Sequence, residues 1–331
     1  MDSPLDSGNN WHASRNISRI RLSNIVGRIN WNCLRRSAEK KLVDTQQKMT
    51  SSKKHGDLVL RKVKVPSRVN IIGEHTDYVG GLAIPFACSP YLEITVDTNP
   101  SEYSGDATVI DLWKCAGGWP TKIHVESEIP IGKGMSSSAA LCLGIVLAVN
   151  ESIEPMDACI EAQRIEHEIL GTNCGLLDQI AIMFARKNCF SLINFTNLEI
   201  SQFDIPHDWK FKLVDSGVHR ALSQTSYNTQ KNTNEHAKQE NARVELAIDA
   251  GPVELGKLLN ETHQSLIELG VSNSIVNKSV EELQKTDGVL GARMMGGGFG
   301  GMILVLVSRE DVLPSEPLVI SSGPPVLEEI I

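Results

Sequence analysis

A chain of 331 residues, 41% of them hydrophobic, has enough apolar material for one large domain or two ordinary ones and reads as globular. Its net charge of −8 is spread along the chain, which gives nucleic acid or an anionic membrane no reason to bind. Seven cysteines, an odd number without a C-x-x-C pair, argue against a zinc or dithiol centre and point to reduced thiols in the cytoplasm.

Residues 1–54 carry more Arg and Lys than Asp and Glu and show no sustained apolar period, the pattern of a disordered leader. The fold starts at "LVLRKVKV" (58–65), where branched and charged residues alternate as in a half-buried strand that turns at Pro66. Further strands are expected at 91–97 and 121–129. The apolar run 139–149 is too short to cross a bilayer, and 137–149 reads as a buried helix. A second helix over 156–170 places Ala162, Ile165 and Ile169 on one face and stops at Gly171. Strands at 190–195 and 210–216 follow, then a polar helical stretch over 224–247, helices near 252–269 and 278–285, and a closing strand at 301–307. The irregular alternation indicates an α+β fold with two lobes and not a doubly wound parallel sheet.

Between the strand at 121–129 and the buried helix lies "PIGKGMSSS", with Gly132, Gly134 and then Ser136, Ser137 and Ser138. Glycines allow a ligand to approach the backbone, while first-turn amides and the positive end of the helix dipole attract phosphate. Serine hydroxyls add donors or an oxygen ligand for Mg²⁺. A helix N-cap would account for one serine; three after two glycines point to a phosphate site. The third glycine of a dinucleotide fingerprint is absent, because Ser137 stands in its place. "GPVELGKL" (251–258) fails the Walker A pattern at Leu258.

The span 65–81 gathers Arg68, Asn70, Glu74, His75, Asp77 and Tyr78 after the first strand. Carboxylates that accept hydroxyl protons beside cationic donors suit a neutral sugar, although a solvated turn would have a similar composition. A metal site is disfavoured, since Glu74, His75 and Asp77 are too close in sequence to converge.

"RVNIIGEHTDYVGG", "PIGKGMSSSAAL" and "ARMMGGGFGGMILVLV", in that order, resemble the three signature motifs of galactokinases in the GHMP kinase superfamily. The likeness spans most of 58–307 and implies a two-lobed GHMP kinase fold. Its N-terminal lobe, 56–205 after a leader at 1–55, would resemble domain 2 of ribosomal protein S5, and its C-terminal lobe, 206–331, a ferredoxin-like domain. The resemblance places Glu74, His75, Asp77, Gly175 and Tyr227 against galactose, Asp178 beside the 1-hydroxyl with Arg68 paired to it, and Ser138 and Glu166 on Mg²⁺. ATP would be the phosphoryl donor, its phosphates held by Gly132, Gly134 and the three serines. Asp178 either accepts the sugar proton or only orients the hydroxyl. The third motif, 296–301, is expected to pack near the phosphate loop.

The segment between Ala87 and Pro130 is shorter than the family norm, and Gly117 and Gly118 speak against a helix over 111–119. A kinase of N-acetylgalactosamine or of a uronic acid, and a non-catalytic sugar sensor, are the alternatives. Oligomeric state is open at this stage.

Overall fold

The structure, a computed structural model, describes residues 59–218 and 233–330 and the strand at 18–20. Ten strands form two antiparallel sheets among the described residues. They are β1 (Ser18–Ile20), β2 (Leu60–Ile72), β3 (Leu82–Asp97), β4 (Ile123–Ser127), β5 (Cys189–Asn194), β6 (Glu199–Asp204), β7 (Lys210–Asp215), β8 (Val289–Met294), β9 (Met302–Val307) and β10 (Val326–Ile330). The larger sheet runs β1-β6-β5-β3-β2-β10, with β4 also on β3; the smaller runs β7-β9-β8. Of the expected leader, Ser18–Ile20 pairs with β6 and the rest lies outside the described residues.

Long strands β2 and β3 pair along most of their length, so the turn between them, 73–81, projects from the sheet end with a fixed orientation. That turn is the first motif. Behind the sheet packs α2 (Ser137–Val149), with nine of its thirteen residues buried, as a helix apolar on every side must be. Next to it lie α1 (Ala107–Cys115), α3 (Pro155–Leu170) and α4 (Leu177–Met183). Pro155 opens α3 and Gly171, at φ 66°, ends it where the sequence indicated.

The expectation that glycines rule out a helix near 111–119 is corrected by α1, which begins four residues earlier and ends before them. Asp106 caps it by accepting from the amides of Thr108 and Val109, and the chain turns out of the helix ahead of Gly117. Val109, Leu112 and Trp113 form its buried face.

In the C-terminal half, α5 (Thr233–Ala247), α6 (Pro252–Leu269) and α7 (Ser274–Gln284) accompany the small sheet. The helix expected over 224–247 is seen from Thr233, and 224–232 lie outside the described residues. A core of Leu266, Val276, Met294, Ile303 and Val305 serves this half, while the main core extends across to Leu255, Leu258 and Leu304. Among the described residues no helix is long and apolar enough to cross a membrane, and each cysteine is a free thiol.

Candidate active site

Two adjoining hollows open where the turn after β2, the start of α2, the start of α4 and the glycine loop before β9 meet. Arg68, Glu74, His75, Asp77, Gly175 and Asp178 line the first, with about 380 Å³ of empty space, its mouth included. Gly132, Gly134, Ser136, Ser137, Ser138 and Glu166 line the second, of about 460 Å³. Arg68, Cys174, Asp178, Gly296 and Gly297 belong to both and form the wall between them. Tyr227 lies outside the described residues; every other residue that the resemblance assigned to the site borders one hollow or both, whereas Asn70, gathered with them in the sequence, is buried and lines neither.

Arg68 projects from β2 and is only 3% exposed. Its Nε and Nη2 lie 2.8 and 2.7 Å from Asp178 Oδ1, and its Nη1 donates to the carbonyl of Gly134 at 2.7 Å. One guanidinium thus fixes the carboxylate and the phosphate loop together. Asp178 sits in the first turn of α4, and its Oδ2 accepts no hydrogen bond among the described residues.

In the first hollow, Asp77 accepts from the amides of Tyr78 and Leu177. Burial, with Asp178 nearby, lifts its pKa to about 7. Gly175 presses on this carboxylate so closely that a Cβ there would stand 1.9 Å from Asp77 Oδ2. His75 takes a left-handed backbone, φ 57°, and its Nδ1 shares a 3.0 Å hydrogen bond with the Tyr78 hydroxyl. For Glu74, burial favours the neutral acid, but Arg293, Arg68 and the Gly296 amide outweigh it and hold the pKa below the usual range.

The second hollow opens at the N-terminus of α2. Ser136 caps α2 in a left-handed conformation, φ 61°, without a side-chain capping bond. Its Oγ is buried and bonded to nothing among the described residues, which leaves an unpaired hydroxyl at the wall of the hollow. The positive φ values of His75 and Ser136 thus both fall on residues that line the hollows. Ser138 Oγ donates to Glu166 Oε1 at 2.7 Å, and Gln179 Nε2 donates to Oε2 at 2.8 Å. Burial raises the Glu166 pKa to about 7, with Asp178 adding to it against the hydrogen bond from Ser138.

The glycine loop packs against the phosphate loop as expected. Met302 N donates to Lys133 O at 2.8 Å, and a Cβ on Gly301 would approach that oxygen to 2.6 Å.

Three family models match the chain: the galactokinase galactose-binding signature over 55–96, the GHMP kinases N-terminal domain over 107–186 and the GHMP kinases C-terminal domain over 245–313. A galactokinase of Thermotoga maritima is 31% identical over 313 residues, an alignment covering 75% of this chain and 89% of that protein. The chain belongs to the galactokinase family. It is therefore a sugar kinase with the GHMP fold. The galactokinase of Pyrococcus furiosus is 29% identical over 314 residues, with the same coverage. In fold, the chain resembles Lactococcus lactis galactokinase complexed with galactose, at TM-score 0.70 and 21% identity over 87% of this chain and 99% of that one. Methanococcus jannaschii mevalonate kinase follows at TM-score 0.62 and 20% identity, over 83% and 98%.

Sequence reasoning missed Arg293, which is fully buried on β8 and paired with Glu74. A signal was present: a lone cation between Ala292 and Met294, in a strand otherwise apolar on that side, needs a buried anion. It also missed His236 of α5, whose Nε2 lies 2.9 Å from the carbonyl of Glu74.

Proposed function

We propose that the chain transfers the γ-phosphoryl group of ATP to the anomeric 1-hydroxyl of D-galactose, giving galactose 1-phosphate and ADP. The carrying observation is the Arg68–Asp178 pair in the wall common to both hollows. A hydroxyl in the first hollow and a phosphate in the second would meet at that pair. The galactose-binding signature and the galactokinase relatives support galactose as the occupant of the first hollow.

In this reading the α2 amides and Ser136 Oγ receive the ATP phosphates, aided by the helix dipole. Glu74, His75 and Asp77 hold the sugar hydroxyls. Asp178 Oδ1 is committed to Arg68, which leaves Oδ2 to take the hydroxyl proton as the sugar oxygen attacks. Phosphoryl transfer of this kind rests chiefly on positioning and charge neutralisation, which Arg68 supplies from the sugar side.

Mg²⁺ fits Ser138 and Glu166: both offer hard oxygen atoms at the second hollow, and the buried carboxylate would be stabilised by a cation. Among the described residues no three acidic, His or Cys side chains could hold a metal on their own, in keeping with an ion that shares its shell with phosphates and water. When bound, the ion would neutralise charge on the phosphate oxygens.

The test is ADP release from purified protein with ATP, Mg²⁺ and a sugar panel, and the position of the new phosphate by NMR. Turnover with galactose at least tenfold above glucose, with phosphate on C1, is the expected result. Sugar binding without turnover on any sugar overturns the reading in favour of a sensor. Asp178→Ala should lower kcat by about 10²-fold or more while sugar affinity changes little.

A further inference from the structure

Arg293 is one of the largest side chains wholly excluded from water, yet it carries a charge. From β8 it reaches across to the turn after β2. Its Nε donates to Ile71 O at 2.8 Å, Nη2 to Asn70 O at 2.5 Å and Nη1 to Met294 O at 2.8 Å. Nη1 and Nη2 also stand 3.3 and 3.2 Å from Glu74 Oε1, and the Gly296 amide donates to that same oxygen at 2.7 Å. Three donors therefore crowd one carboxylate oxygen. Glu74 Oε2 accepts none among the described residues, and Glu74 lines the first hollow.

We propose that Arg293 is a positioning residue for substrate recognition: acting through Glu74, it presents a single carboxylate oxygen to the sugar as a pure acceptor and so restricts that subsite to neutral, hydroxyl-bearing sugars. The proposal rests on the galactose kinase reading and adds a determinant that lies outside the hollow itself.

The restriction follows from hydrogen-bond capacity. An ionised carboxylate cannot donate, and an oxygen held in one direction by a buried guanidinium and an amide cannot turn away. A sugar hydroxyl satisfies Oε2; a hydrogen in its place leaves the oxygen unpaired, and a uronate sets two anions face to face. Arg293 also grips the carbonyls of Asn70 and Ile71, so the backbone leading to Glu74 is fixed by the same side chain. Arg293 and Gly296 both belong to the third motif, which thereby shapes the sugar site as well as packing on the phosphate loop.

Steady-state kinetics on Arg293→Met, Arg293→Lys, Glu74→Gln and the double variant Glu74→Gln/Arg293→Met test this, with galactose, its monodeoxy analogues and galacturonate. In the unmodified protein, loss of one particular hydroxyl should raise KM at least tenfold. Arg293→Met and Glu74→Gln should each flatten that penalty and raise the KM for galactose about 10-fold or more. Arg293→Met should leave kcat within about threefold and the KM for ATP unchanged. The double variant should be no worse than the worse single one, and Arg293→Lys should recover part of the loss. Additive effects of the two single changes, or an unchanged deoxy profile in Glu74→Gln, overturn the proposal. If Arg293→Met does not fold, Glu74→Gln with Arg293→Lys decides by the same profile. An unmodified protein that does not phosphorylate galactose contradicts the functional reading instead.

Discussion

Asp77 is held where its charge is disfavoured: burial first and Asp178 second move its pKa from 3.8 to about 7. The folded protein thus binds this proton more readily than the unfolded chain. The associated stability is fully present below about pH 4 and lost as pH rises through 7. Asp77→Asn removes that loss. Differential scanning calorimetry without ligands should show a Tm gain of about 2–4 °C at pH 8.5 that shrinks steadily as pH is lowered through 7 toward 4. The same substitution should weaken sugar binding, since an ionised acceptor is exchanged for an amide. Gly175 is bound to this arrangement, because any side chain there collides with the Asp77 carboxylate. Gly175→Ala should raise the sugar KM at least tenfold and leave the KM for ATP near its original value. The motif containing Gly175 was legible in the sequence, but the reason for the glycine was not: it lies in a contact between residues 77 and 175, on different elements.

At the level of elements, the two glycine loops are joined by Lys133, whose carbonyl receives the Met302 amide and whose Nζ lies 2.8 Å from Asp215 at the end of β7. The partners differ in exposure, Lys133 at 8% and Asp215 at 47%. Removing Lys133 leaves a carboxylate that water can reach; removing Asp215 leaves a nearly buried ammonium without its anion. Asp215→Ala should therefore cost on the order of 2 kcal/mol more in urea unfolding than Lys133→Met. Lys133→Met should raise the KM for ATP several-fold with no change for the sugar, and Lys133→Arg should restore it. Element boundaries were readable where local chemistry sets them, as at Pro155 and Gly171 or Pro252 and Gly270. They were misjudged at α1, where Asp106 decides the start and the glycines lie beyond the end. The polar helix α5 showed only its composition in sequence. Its buried His236 and Glu240, which bind the Glu74 carbonyl and the Gly73 amide, depend on a turn some 160 residues away.

For the whole molecule, the family resemblance carried by three motifs led to the expectation of a two-lobed GHMP fold, and the structure brings residues of all three motifs to two adjoining hollows. Less legible was the linkage between lobes: Arg293 of the small sheet and Glu74 of the large one meet only after folding. If both hollows are part of one folded unit, galactose and ATP together should raise Tm further than either alone; at 100-fold over Kd each contributes about 2.7 kcal/mol. Arg68, Asp178, Gly296 and Gly297 face both sides of the wall shared by the two hollows, so a galactose joined through its anomeric carbon to a short anionic tail would find a continuous surface to lie on. Once the sugar end is seated, the tail is confined at a local concentration on the order of millimolar. Such a bisubstrate mimic should inhibit far more strongly than its two halves mixed.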